Sequence, residues 1–125
     1  MTTWTPGDLQ RIAATNDLYI CPFRADGVTY GTPTLIWSVV VDDQPYVRAY
    51  HGPASRWYRS AMIQRAGQIA AAGGQWEVSF EAAPEDLNEV VDAAYVRKYA
   101  ADPYLSHMIG SNARAATVQI SPRAD

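Results

Sequence analysis

The sequence predicts a mixed α+β chain organised around a small antiparallel β-barrel with flanking helices. Three observations predict it. Patterns alternate in the order helix, strands, helix, strands, helix, strand. The hairpin over residues 35–51 has no polar face, which a sheet with one side in water would need. Residues 75–81 alternate cleanly, with Trp76, Val78 and Phe80 inward and Glu77, Ser79 and Glu81 outward.

In chain order, Thr5-Pro6-Gly7-Asp8 opens the first helix. Thr5 can cap, Pro6 suits the first helical position, and Asp8 favours the positive end of the dipole. Leu9, Ile12 and Ala13 follow at helical spacing. A strand over Leu18–Phe23 puts Leu18 and Ile20 on one side and Tyr19, Cys21 and Phe23 on the other.

The clearest hairpin joins Leu35–Val41 to Tyr46–His51 through a loop at Asp42-Asp43-Gln44-Pro45. A four-residue loop sets Val41 opposite Tyr46, Val39 opposite Arg48 and Trp37 opposite Tyr50. One face then carries Trp37, Val39, Val41, Tyr46, Arg48 and Tyr50, and the other Ile36, Ser38, Val40, Val47, Ala49 and His51. The compact face is expected inside the barrel, and the aromatic face under a helix, a partner or a ligand.

A helix over Arg56–Ala66 follows, capped by Ser55 and stopped by Gly67. A second hairpin reads Gln68–Ala72, Gly73-Gly74, Gln75–Glu81. Pro84-Glu85-Asp86 starts the longest helix, reaching Ala100 with Leu87, Val90, Val91, Ala94 and Tyr95 as its buried stripe. A short helical piece ends at Ile109, and a last strand covers Ala115–Ile120.

The chain has 125 residues, room for one domain over 1–125 with a single core. A net charge of −3 gives no basic field and argues against nucleic acid as a partner. No apolar run approaches the ~20 residues of a membrane helix. The opening Met1-Thr2-Thr3-Trp4-Thr5-Pro6 lacks a signal-peptide pattern, and Cys21 is the one cysteine, so a cytoplasmic location is expected. His51 and His107 lie far apart in sequence without Cys or acidic partners at ligand spacing, so no metal site is expected. No Gly-x-Ser-x-Gly element supports hydrolase chemistry.

The informative segment runs from Arg48 to Arg59. It leaves a strand, turns at Gly52-Pro53 and enters a helix whose first N–H groups have no internal partner. A cation in the first turn of a helix costs ~0.3–1 kcal/mol, yet Arg56 and Arg59 both sit there. An anion between them and the free N–H groups makes sense of that placement, with Ser55 adding a hydroxyl and Arg48 reaching in from the strand. Arginines that point into water, or pair with carboxylates elsewhere, are the plainer alternative. Trp37, Tyr46, Tyr50, Trp57 and Tyr58 surround the position as ring-stacking surfaces or as core. Asp92, Tyr95, Lys98 and Tyr99 share one side of the long helix, where a network joining it to the barrel is expected before catalysis.

Several stretches carry a resemblance. They are Gly31-Thr32-Pro33, Ile36-Trp37-Ser38-Val39, Tyr46-Val47-Arg48, Gly52-Pro53-x-Ser55-x-Trp57-Tyr58-x-x-Ala61, Gly73-Gly74 and Asp92-Ala93-Ala94-Tyr95-x-x-Lys98-Tyr99. Over nearly the whole chain they resemble a bacterial family, domain of unknown function 2255. That family is grouped with split-barrel FMN- and deazaflavin-binding proteins such as nitroreductases and pyridoxamine phosphate oxidases.

The resemblance implies a split β-barrel holding FMN or a deazaflavin. Cofactor phosphates would lie at Ser55, Arg56, Trp57 and Tyr58, with Thr32, Pro33 and Trp37 near the ring system. With Arg48 and Arg59 from the charge argument, these form the expected cofactor-binding set; no catalytic residue stands out. A homodimer is implied by analogy. Where deazaflavin-binding relatives carry Gly-Arg-Lys-Ser/Thr-Gly, this chain has Arg24-Ala25-Asp26-Gly27-Val28-Thr29-Tyr30-Gly31, which favours FMN or a smaller phosphate ligand over a long anionic tail. The expected function is a flavin- or deazaflavin-dependent oxidoreductase. The alternatives are a non-catalytic module binding another anionic aromatic ligand or a protein partner, and a purely structural role.

Overall fold

A computed structural model describes residues 4–123; residues 1–3 and 124–125 of the expected domain lie outside the described residues. The chain runs α1 (Pro6–Ala14), β1 (Leu18–Pro22), β2 (Thr34–Ile36), β3 (Ser38–Val41), β4 (Gln44–Arg48), α2 (Arg56–Gln64), β5 (Ala66–Ala71), β6 (Gly74–Ala82), α3 (Asn88–Lys98), α4 (Leu105–Met108), α5 (Ser111–Arg114) and β7 (Thr117–Pro122). Short 3-10 turns at Gly52–Ala54 and Glu85–Leu87 precede α2 and α3.

The strands form one antiparallel sheet in the order β2-β1-β5-β6-β7-β4-β3. β2 and β3 stand at its two margins, yet only Trp37 separates them in the chain. One extended run therefore pairs with β1 through its first half and with β4 through its second, and the sheet curls into a nearly closed barrel. This is the expected α+β barrel with flanking helices.

Alternation decides what fills it. Leu18, Ile20, Val47, Ile69, Val78, Phe80, Val118 and Ile120 are fully buried in one cluster, joined by Trp4, Leu9 and Ile12 from the N-terminal segment and by Trp57 and Ala61 from α2. Thr5 caps α1 as expected, accepting a hydrogen bond from the Asp8 N–H at 3.2 Å.

The compact hairpin face, with Ile36, Val47 and Ala49, lies in this cluster. The aromatic face is covered by a helix: Val39 and Tyr46 pack with Val91, Ala94, Tyr95 and Tyr99 of α3 and its end.

Several boundaries differ from expectation. The first hairpin has a two-residue turn, Asp42-Asp43, both at positive φ, and pairs Val41 with Gln44 and Val39 with Tyr46. Two left-handed residues match the twist of paired strands, and Asp tolerates that conformation. The register moves by two, an even step, so the side chains of the paired strands keep their predicted faces, but the second strand ends at Arg48 rather than His51, and Tyr50 and the exposed His51 lie in a turn. The second turn is Ala72-Gly73 rather than Gly73-Gly74.

α2 ends at Gln64 with Arg65 in the left-handed region, and Gly67 is not its stop but a residue of β5. A Cβ on Gly67 would lie 2.3 Å from the Cys21 carbonyl oxygen, so only glycine lets β5 approach β1 there. The longest helix begins as a 3-10 turn and ends at Lys98; its buried face is turned toward Val91, Tyr95 and Tyr99, leaving Val90 exposed. α5 occupies residues expected in a loop, and β7 begins at Thr117 rather than Ala115.

Candidate functional site

The network expected along α3 is present, and it serves the junction between β2 and β3. A strand that changes pairing partners leaves backbone groups without a ladder, and buried ones must be satisfied elsewhere. The Tyr95 hydroxyl donates to the Trp37 carbonyl at 2.8 Å, and the Lys98 ammonium donates to the Ser38 carbonyl at 2.7 Å. The Tyr99 hydroxyl lies 3.2 Å from both the Ser38 N–H, which donates to it, and the Ser38 carbonyl. The Trp37 and Tyr99 rings stack at 4.2 Å, nearly parallel. Burial lowers the Lys98 pKa to about 8 and raises that of Tyr99 to about 12.

Beside this junction lies a cavity of about 620 Å³. Thr34, Leu35, Ile36 and Trp37 form one wall. Tyr50 and His51 follow β4 on a second, and Ser55, Arg56 and Trp57 open α2 on a third. Tyr104 and Met108 border the remainder, and among the described residues no carboxylate lines the space. A groove of similar volume between α1 and the β3–β7 side has, among the described residues, Asp43 as its charged member and no cation. Chemistry rather than size distinguishes the first cavity.

Of the expected residues, Trp37, Arg48, Ser55, Arg56 and Trp57 reach the cavity; Thr32, Pro33, Tyr58 and Arg59 do not line it. Thr32 and Pro33 are exposed ahead of β2, where Thr34 takes the lining position. Tyr58 packs against the barrel cluster, its hydroxyl 3.5 Å from the Ala115 carbonyl. Arg59 is exposed at the end of the first turn of α2.

Arg48 reaches the wall but has nothing to offer a ligand. It is fully buried, and all three guanidinium nitrogens donate internally. Nε bonds Thr117 at 2.9 Å; Nη1 bonds the Asp92 carboxylate and, at 3.1 Å, the Met108 carbonyl; Nη2 bonds the Asn88 carbonyl at 3.1 Å. Burial alone would raise the Asp92 pKa, but hydrogen bonds and charge from Arg114 and Arg48 outweigh it and hold the carboxyl below its ordinary value.

Ser55 sits at the cap position of α2, yet its hydroxyl makes no capping bond. Among the described residues, neither Arg56 nor Arg59 has a carboxylate within ion-pair distance. In the Arg24–Gly31 loop, by contrast, the charged side chains bond within the loop. Asp26 accepts from Val28 and Thr29, which lowers its pKa to about 2, and Arg24 donates to the Tyr30 carbonyl at 3.3 Å.

Sequence reasoning missed the rings around Tyr50. His107 stacks on it at 4.0 Å, and His51 and Tyr104 meet it edge-on at 5.1 and 6.2 Å. No local pattern links α4 to the end of β4; only the fold brings them together. Among the described residues, no group of three or more His, Cys, Asp or Glu side chains is placed to hold a metal ion. No helix there is long and apolar enough to cross a membrane.

A comparison with curated proteins finds no match. Among solved structures, the chain is similar in fold to the conserved hypothetical protein Rv2991 from Mycobacterium tuberculosis, with a TM-score of 0.61 at 13% identity over 98% of this chain and 82% of that one. Residues 8–120 match the family described as "Uncharacterized protein conserved in bacteria" (DUF2255), and the chain belongs to that family.

Proposed function

We propose that the cavity binds a planar aromatic ligand bearing a phosphate, with FMN as the leading candidate and flavin-dependent oxidoreduction as the activity. The observation that carries this reading is Arg56, a cation in the first turn of α2 beside the Ser55 hydroxyl, which makes no capping bond; among the described residues no carboxylate pairs with Arg56 or lines the cavity.

Free N–H groups at a helix start and a guanidinium together suit phosphate oxygens. The cavity volume falls within the ~300–1,000 Å³ of ordinary ligand sites, and its walls are largely apolar, with Trp37, Tyr50, Trp57 and Tyr104 among them. Arg48 braces the wall from behind rather than touching the ligand. Bound FMN would supply the hydride chemistry, and this chain's part is to hold and orient it.

The Arg24–Gly31 loop, whose Asp26 and Arg24 bond within it, favours a short anionic tail and weighs against a deazaflavin with its longer one. A module that binds such a ligand without turnover uses the same contacts and differs in showing no reduction of bound flavin by a nicotinamide donor. Titration of FMN fluorescence tests the reading. Wild-type protein is expected to bind, and Arg56→Ala with Ser55→Ala to weaken binding about tenfold or more, since hydrogen bonds to charged groups contribute ~1.5–3 kcal/mol. Equal affinity of wild type and the double variant rules the phosphate site out.

A further inference from the structure

We propose that Tyr50, His51 and Tyr104 form the corner of the cavity that receives the ligand's ring, with His107 as the positioning residue that holds Tyr50 for it. This rests on the reading that the ligand carries a planar ring.

Trp57 is buried in the barrel cluster; Trp37 and Tyr50 each carry one stacked ring, Tyr99 and His107, and of these two it is Tyr50 that also meets Tyr104 edge-on. Tyr104 is different: it is 61% exposed at the cavity margin, with its amide fixed by the Asp102 carboxylate at 2.8 Å. Tyr50 is half-buried on the same cavity. His107 stacks on it at 4.0 Å and 18° without lining the cavity itself, so it fixes the ring from outside. His51 and Tyr104 meet Tyr50 at 80° and 74°. Edge-to-face neighbours around a braced ring make an apolar corner that a flat π-system can enter by offset stacking.

Riboflavin, which has the ring but no phosphate, separates this inference from the phosphate reading. Both riboflavin and FMN are titrated by flavin fluorescence against folded variants checked by circular dichroism. Tyr50→Leu and Tyr104→Leu are each expected to weaken both probes by the same factor, about tenfold, whereas Tyr50→Phe retains binding. His107→Ala is expected to weaken both probes, and His107→Phe, which keeps a stacking ring, to restore them.

Arg56→Ala should weaken FMN and leave riboflavin unchanged. If FMN binds no tighter than riboflavin but the ring variants still lose both, the phosphate reading fails and the corner stands. Riboflavin binding that is indifferent to Tyr50→Leu and Tyr104→Leu, or His107→Phe behaving like His107→Ala, overturns the inference. A wild-type protein that binds neither probe overturns both.

Discussion

The fully buried Arg48 and the half-buried Asp92 form an ion pair that ties the barrel to α3, and the same carboxylate also holds Arg114 at the end of α5. Three elements distant in sequence thus meet at one charge. The arrangement explains how an arginine occupies a fully buried position on an otherwise aromatic sheet face.

Asp92→Ala leaves the buried Arg48 guanidinium without its counter-charge, which is expected to lower stability by about 3–5 kcal/mol, read by chemical denaturation. The pair also sets an acid response. The Asp92 pKa is lower folded than unfolded, so its contribution is present above the ordinary value of 3.8 and is lost as pH falls through the folded value. Asp26 titrates in the same acid range, so the informative quantity is the difference between wild type and Asp92→Ala; that gap is expected to shrink below pH ~4. A gap independent of pH contradicts the assignment.

Tyr99→Phe keeps the ring stacked on Trp37 but removes the hydroxyl shared by the Ser38 N–H and carbonyl. A buried backbone group then lacks its partner, at about 1–3 kcal/mol. The expected result is a lower denaturation midpoint with near-native tryptophan emission. An unchanged midpoint means that the β2–β3 junction does not depend on that hydroxyl.

Lys98 titrates in the opposite pH direction to an ordinary ion-paired lysine. Burial places its folded pKa at about 8, below the ordinary 10.5. Between those values the unfolded chain holds the proton more than the folded chain does, so this group makes stability rise as pH increases from 8 toward 10. The raised pKa values of Cys21 and Tyr99 act the other way at their own titrations, so comparison with Lys98→Met isolates the effect. Wild type is expected to gain on Lys98→Met across that range in thermal melts; parallel curves refute it.

Much of the fold is legible because alternation and capping are local. Thr5-Pro6 starts α1, Val78 and Phe80 point inward, and the hairpin faces survive a register error because that error is even. Turn and helix ends are less legible. Asp42-Asp43 and Arg65 adopt left-handed conformations that pattern alone assigns more readily to glycine, and Gly67 answers to a neighbouring strand rather than to its own helix.

The start of α2 is readable as a cation against a dipole, and the α3 network as an i, i+3, i+4 set. The fate of Arg48 is not readable, because Asp92, Thr117 and Asn88 reach it only through the closed barrel. The same holds for His107 over Tyr50.

The ³¹P resonance of FMN on titration with the protein reads the phosphate's surroundings. A phosphate seated at Ser55 and Arg56 is expected to shift and broaden its signal in wild type and to return to the free position in Arg56→Ala. A phosphorus signal that stays at the free position while the isoalloxazine protons shift would place the ring in the cavity and the phosphate in water, ruling out a phosphate site at Ser55 and Arg56.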